Sequence, residues 1–131
     1  ALEHTLAALR AGARLMIAPE GRVNNGLGLL QGRLGLGWIL SQAPVPVVPV
    51  GITGSTLEFM RKLRAGERPR VILRIGRALE SVPVDSRDKA AMQRRVDTVM
   101  AHIAALLPPE ERGFYTEMAE GVLSGQTEPR L

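Results

Sequence analysis

The residues best equipped for chemistry stand together in "LMIAPEGR", where Pro19, Glu20, Gly21 and Arg22 follow an apolar run. A carboxylate such as Glu20 can accept from a hydroxyl or hold a neighbouring cation. A guanidinium such as Arg22 can fork onto a phosphate. Gly21 allows a tight turn or the close approach of a ligand to the backbone. Proline and glycine also dominate ordinary turns. Taken alone, the four residues therefore read first as a surface turn with two charges, and only second as an anion site.

Other chemistries find less support. There is no cysteine, which excludes disulfides, thiolate metal sites and thiol nucleophiles and leaves the redox compartment open. Two histidines, His4 and His102, are too few for a His-rich metal site. A nucleophile elbow needs G-x-S-x-G, and no such run exists. "GRVNNG" has the first spacing of a phosphate loop, but Leu27 stands where the lysine must be. Gly26, Gly28 and Gly32 are spaced one residue too widely for a dinucleotide fingerprint.

The net charge is +4, and its distribution says more than its size. Arg61, Lys62, Arg64, Arg68, Arg70, Arg74 and Arg77 face a single nearby acid, Glu67. Such a cluster attracts phosphorylated ligands, acidic lipid surfaces or nucleic acid, although a solvated face without a partner fits equally well. Phe59 is the only ring near it, so it lacks the interleaved aromatics on which bases stack.

The surrounding elements must position these groups. A chain of 131 residues suits one domain, and its apolar residues are mostly aliphatic. Leucines at helical spacing predict a helix over 2–11, stopped at Gly12. "RLMIA", 14–18, reads as a strand covered on both faces, as in a parallel sheet. In an open α/β sheet, ligands collect beyond the carboxyl ends of the strands, which is where Pro19 to Arg22 then stand. A Gly-rich loop leads to a helix over 33–42. "VPVVPVGI", 45–52, reads as a strand paired over part of its length, because Pro46 and Pro49 cannot donate to a ladder. A short basic helix over 56–65 closes at Gly66, and a strand over 70–76 alternates its faces. Asp85 or Ser86 caps a long helix marked by Met92, Val96, Val99, Ile103 and Leu106. The alternation predicts an α/β fold with a mostly parallel sheet and flanking helices. Residues 1–115 form the domain, and 116–131 read as a polar, loosely held tail. No apolar run approaches the roughly 20 residues that span a bilayer.

"LMIAPEGR", the Gly-rich loop and helix, "APVPVVPVGITG", "RVILRIGRAL" and "IAALLPPEERGFY" come in an order that resembles the glycerolphosphate and lysophosphatidic acid acyltransferase family. The resemblance implies transfer of an acyl group from an acyl thioester, on coenzyme A or acyl-carrier protein, to a glycerophosphate or lysophospholipid hydroxyl, with no cofactor. It implies that Pro19, Glu20 and Gly21 shape the acceptor site and that Arg22 contacts phosphate. It gives Arg61, Lys62 and Arg64 a use against an anionic membrane or the phosphates of the donor, and it implies a peripheral place on the cytoplasmic face.

Two departures are visible. Arg22 follows Gly21 directly where the family has a threonine between them, and Ala18 replaces an aromatic. The family's catalytic His-x-x-x-x-Asp has no counterpart, because Leu9 and Leu107 stand five residues after His4 and His102. The chain thus reads as the C-terminal part of an acyltransferase domain, incomplete at its N-terminus and inactive alone. The competing readings are a non-catalytic lipid- or acyl-binding module of the same fold and, behind it, a basic nucleic-acid-binding domain.

Overall fold

The computed structural model describes residues 2–126. Helix α1 (Leu2–Arg10) leads through a long irregular segment to α2 (Leu34–Gln42) and strand β1 (Val50–Thr53). Then come α3 (Leu57–Arg64), strand β2 (Ile72–Ile75), the long α4 (Lys89–Ala105), two 3-10 turns (Pro109–Glu111 and Gly113–Tyr115) and α5 (Thr116–Leu123).

α4 is the organising element. Its Val96, Val99, Met100 and Ala104 join Leu36 and Leu40 of α2, Ala119 of α5, Leu79 beyond β2 and Tyr115 of the second 3-10 turn in one core cluster. The glycines that weaken α2 as a helix are what let it pack there. A Cβ on Gly37 would lie 2.8 Å from the Met92 carbonyl oxygen, so the two helix backbones meet where a side chain cannot fit. α5 corrects the expectation of a loose tail from residue 116: Thr116–Leu123 is helical and Ala119 is wholly buried. Residues 127–131 lie outside the described residues.

The sheet also differs from the expected one. The described residues hold two strands, paired antiparallel, with Val50 opposite Ile75 and Thr53 opposite Ile72. A parallel pair needs a crossover helix packed on the sheet face. α3 buries no residue, so it decorates the end of a long hairpin and does not cross over. An antiparallel bridge between Val47 and Leu79 extends the hairpin. Between bridge and ladder the first strand advances from Val47 to Val50 and the second from Ile75 to Leu79, one residue more, which makes a bulge near Gly76. The Gly76 N–H donates to the Pro49 carbonyl oxygen at 2.9 Å, so the proline accepts where it cannot donate.

The run Arg14 to Ala18 forms no strand. Apolar composition suits a strand but does not supply a ladder, and β1 pairs only with β2 among the described residues. The run is instead irregular and exposed, with Met16 88% accessible. At α4 the cap is Asp88, whose side chain accepts from the Ala91 N–H at 2.9 Å, and not Asp85 or Ser86. Asp85 binds Arg87 instead, through the backbone N–H and the guanidinium.

Candidate functional site

The predicted block Pro19–Arg22 makes a turn whose Gly21 N–H donates to the Ala18 carbonyl oxygen at 3.1 Å. Gly21 has φ +59°, the left-handed region that glycine enters without strain. The turn is fixed to α2, because the Arg33 N–H, at that helix's N-cap, donates to the Pro19 carbonyl oxygen at 2.9 Å. The Arg33 side chain runs past Gly21, close enough that a Cβ there would lie 3.1 Å from its Cδ. No acid stands in the first turn of α2 and no side-chain hydrogen bond caps it, so the positive end of its dipole lies beside the turn without a compensating charge of its own.

Glu20 is half-buried, and Asn24 links it to the following loop. The Asn24 Nδ2 donates to the Gly28 carbonyl oxygen at 2.6 Å and stands 3.5 Å from Glu20 Oε2. Its Oδ1 accepts from the Gly26 N–H at 2.9 Å. Arg22 is exposed and is not among the residues that line the cavity beside this turn, where Pro19, Glu20 and Asn24 stand.

That cavity has a volume of about 950 Å³. Its walls are mainly apolar and come from distant parts of the chain: Met16 and Ile17 before the turn, Ile39 of α2, Val50 of β1 and Met100 and Ile103 of α4. The would-be strand 14–18 therefore serves as a wall. A large, mainly apolar space with a few polar groups in its wall, Glu20 and Asn24 among them, suits an amphipathic ligand.

A buried network holds the loop between the turn and α2. The Tyr115 hydroxyl donates to Asp97 Oδ1 at 2.8 Å and accepts from the Gly32 N–H at 2.9 Å. Gln93 Nε2 donates to the same carboxylate oxygen at 2.9 Å and to the Gly32 carbonyl oxygen at 3.2 Å. Burial pushes the Tyr115 phenol far above its ordinary value, and the charges of Asp97 and Glu20 push the same way. Beside this network Leu29 exchanges backbone hydrogen bonds with Glu111 and Phe114 at 3.1 and 2.9 Å. The segment "PPEERGFY" thus clamps the Gly-rich loop.

Sequence reasoning singled out Pro19 to Arg22 but missed Asn24, Arg33, Asp97 and Tyr115. Asn24 carried a local signal, since Asn-x-Gly favours such a turn. The others carried none, because their partners are remote in the chain.

The two other groups of candidates lie apart. Arg61, Lys62 and Arg64 are on α3, where the Arg61 Nε donates to Glu58 Oε2 at 2.7 Å. The hydrogen bond to Glu58 raises the Arg61 pKa, and the same bond lowers that of Glu58. His4 is exposed on α1, and the His102 Nδ1 engages the Thr98 carbonyl oxygen at 2.9 Å, so neither stands in the arrangement of a base oriented by a carboxylate. Among the described residues no helix is long and apolar enough to cross a membrane.

The Acyltransferase family model matches residues 1–53, a stretch that holds α1, the Pro19–Arg22 turn, the Gly-rich loop, α2 and β1. The match supports the acyltransferase family and a transferase activity. No curated protein matches the chain, and no solved structure does.

Proposed function

We propose that this chain carries the acceptor-binding part of an acyltransferase of phospholipid synthesis or remodelling, one that moves an acyl group from a thioester of coenzyme A or carrier protein to a glycerophosphate or lysophospholipid hydroxyl. One observation carries the reading: the apolar cavity has Pro19, Glu20 and Asn24 in its wall, within the stretch that matches the acyltransferases. The phosphate end of an acceptor sits by the start of α2, between Arg22 and Arg33, and its hydroxyl end meets Glu20. Any apolar chain lies along Ile17, Ile39 and Ile103. Neither histidine is placed as a general base, so these residues alone turn over no thioester. α3 adds a peripheral contact with an anionic membrane, through Lys62 and Arg64 beside the exposed Leu57, Met60 and Leu63.

The test is binding of glycerol 3-phosphate followed by NMR. Arg33→Ala removes a charged contact to phosphate and weakens binding about tenfold or more, equal to ~1.4 kcal/mol or more. Glu20→Gln, which keeps the shape, weakens it less. Binding unchanged by both substitutions rules out this acceptor site.

A further inference from the structure

Arg95, on α4, is 3% exposed and, among the described residues, the only charged side chain that is buried. One of its nitrogens, Nη1, reaches 3.5 Å from the Leu40 carbonyl oxygen, near the C-terminal end of α2. Its Nε and Nη2 are buried and have no hydrogen-bond partner. Three N–H protons of a guanidinium are thereby removed from water with nothing to receive them. A buried charge without a counter-charge is among the most costly arrangements a fold can hold. Burial lowers the Arg95 pKa, but a guanidinium keeps its proton at any ordinary pH.

Arg95 lines a second cavity, of about 360 Å³, with Arg94, Thr98, Ala91, Val82 and Val84. No acid is among its lining residues, and it shares no wall residue with the larger cavity. Ser81, next to Val82, holds a buried hydroxyl that also lacks a partner. The two guanidiniums and the short apolar wall that line the cavity are complementary to an oxyanion with a small apolar group attached.

We propose that this cavity is an oxyanion site, with the head of a phosphate group drawing the unpaired guanidinium of Arg95 toward it, Arg94 as second cation, and any small apolar substituent against Val82, Val84 and Ala91. The fork geometry matches two oxygens of one phosphate, which a lysine could not do. The site is separate from the Glu20 turn, and it does not depend on the acceptor reading.

The experiment is a titration of the protein with inorganic phosphate and, separately, with butyl phosphate, observed at the Arg95 Nε–H resonance at constant ionic strength. A saturable shift is expected with both. Equal affinities assign free phosphate as the ligand, and tighter binding of the butyl ester assigns a phosphate monoester. Arg95→Lys should weaken binding about tenfold, since one point charge replaces a fork. Arg95→Met should abolish it while leaving the protein folded, because it removes an unpaired buried charge. No saturable shift, an equal shift with chloride, or unaltered binding in Arg95→Met would overturn the proposal. Should Arg95→Met fail to fold, the wild-type titration and the lysine variant decide.

Discussion

Tyr115 shows how much one side chain can hold. It is the chain's single tyrosine, wholly buried, and its hydroxyl ties Gly32 to Asp97. Tyr115→Phe leaves a buried N–H and a carboxylate each short of a partner, which should cost about 1–3 kcal/mol in denaturant unfolding. The sign of its pH dependence follows from the raised pKa. The unfolded phenol ionises above about pH 10 while the folded one stays protonated. Its contribution is therefore whole below about pH 10 and is lost as pH climbs toward the folded value, so tyrosinate absorbance should appear only together with unfolding. In Tyr115→Phe that alkaline component vanishes; tyrosinate forming in the folded wild type would contradict the burial. Gly113 is as demanding. It has φ +52°, and a Cβ there would lie 2.3 Å from the Leu29 carbonyl oxygen. Gly113→Ala should cost at least about 2 kcal/mol, from backbone strain and overlap together. Gly66→Ala, also at positive φ but in open space, should cost only about 1 kcal/mol. In the candidate site, the turn at Glu20 and Gly21 was legible because turn chemistry announces itself locally. Tyr115 was not, since its bond to Gly32 joins residues 83 apart, and no local pattern encodes such a pairing.

At the scale of elements, helices were legible and sheet order was not. The leucine spacing of α1 and the long apolar face of α4 fix helices by local periodicity; α1 formed within one residue of its expected ends, and the cap of α4 lies two or three residues beyond the expected one. The strand segments 45–52 and 70–76 were found for a similar reason, but their direction depends on where α3 packs. Nothing in an alternating pattern says that α3 buries no face. The run 14–18 has the composition of a strand and, lacking a ladder neighbour among the described residues, became a cavity wall. Two measurements bear on this scale. Asp88→Ala should destabilise the protein by about 1 kcal/mol, as loss of a helix cap does, while Asp85→Ala leaves stability unchanged. The reverse order would restore the sequence's choice of cap. On α3, Leu57, Met60 and Leu63 are exposed on a helix whose last turn is basic. Reversing Arg61, Lys62 and Arg64 should weaken binding to anionic vesicles and leave neutral ones unaffected, whereas Leu63→Ser should weaken both. Arg61 contributes least, being occupied by Glu58. Vesicle binding indifferent to all these changes would remove α3 from the membrane.

Across the whole molecule, the larger cavity is what unites the parts. α2 and α4 pack closely at Gly37, yet the same helices, with β1 and the segment 12–20, stand apart farther along and leave about 950 Å³ between them. Apolar side chains that ordinarily drive folding are here left facing a space. A ligand that fills that space binds the folded chain alone, so it should stabilise the fold by mass action. The gain depends on which part of the ligand the cavity takes. On the proposed acceptor reading, a glycerophosphate would touch only the part of the wall near Glu20, whereas a chain-bearing lysophospholipid would also cover Met16, Ile17, Ile39 and Ile103. At equal free concentration below micelle formation, lysophosphatidic acid should raise the melting temperature more than glycerol 3-phosphate, and by an amount that grows with acyl length until the cavity is filled. At a hundredfold excess over its dissociation constant the gain is about 2.7 kcal/mol. Replacing Ile103 by Ala enlarges the far wall and should shift the best chain length upward, while Glu20→Gln should lower the response to every chain length alike. If melting temperature rises equally with and without the chain, the cavity takes only the polar end, and its apolar walls serve some other contact.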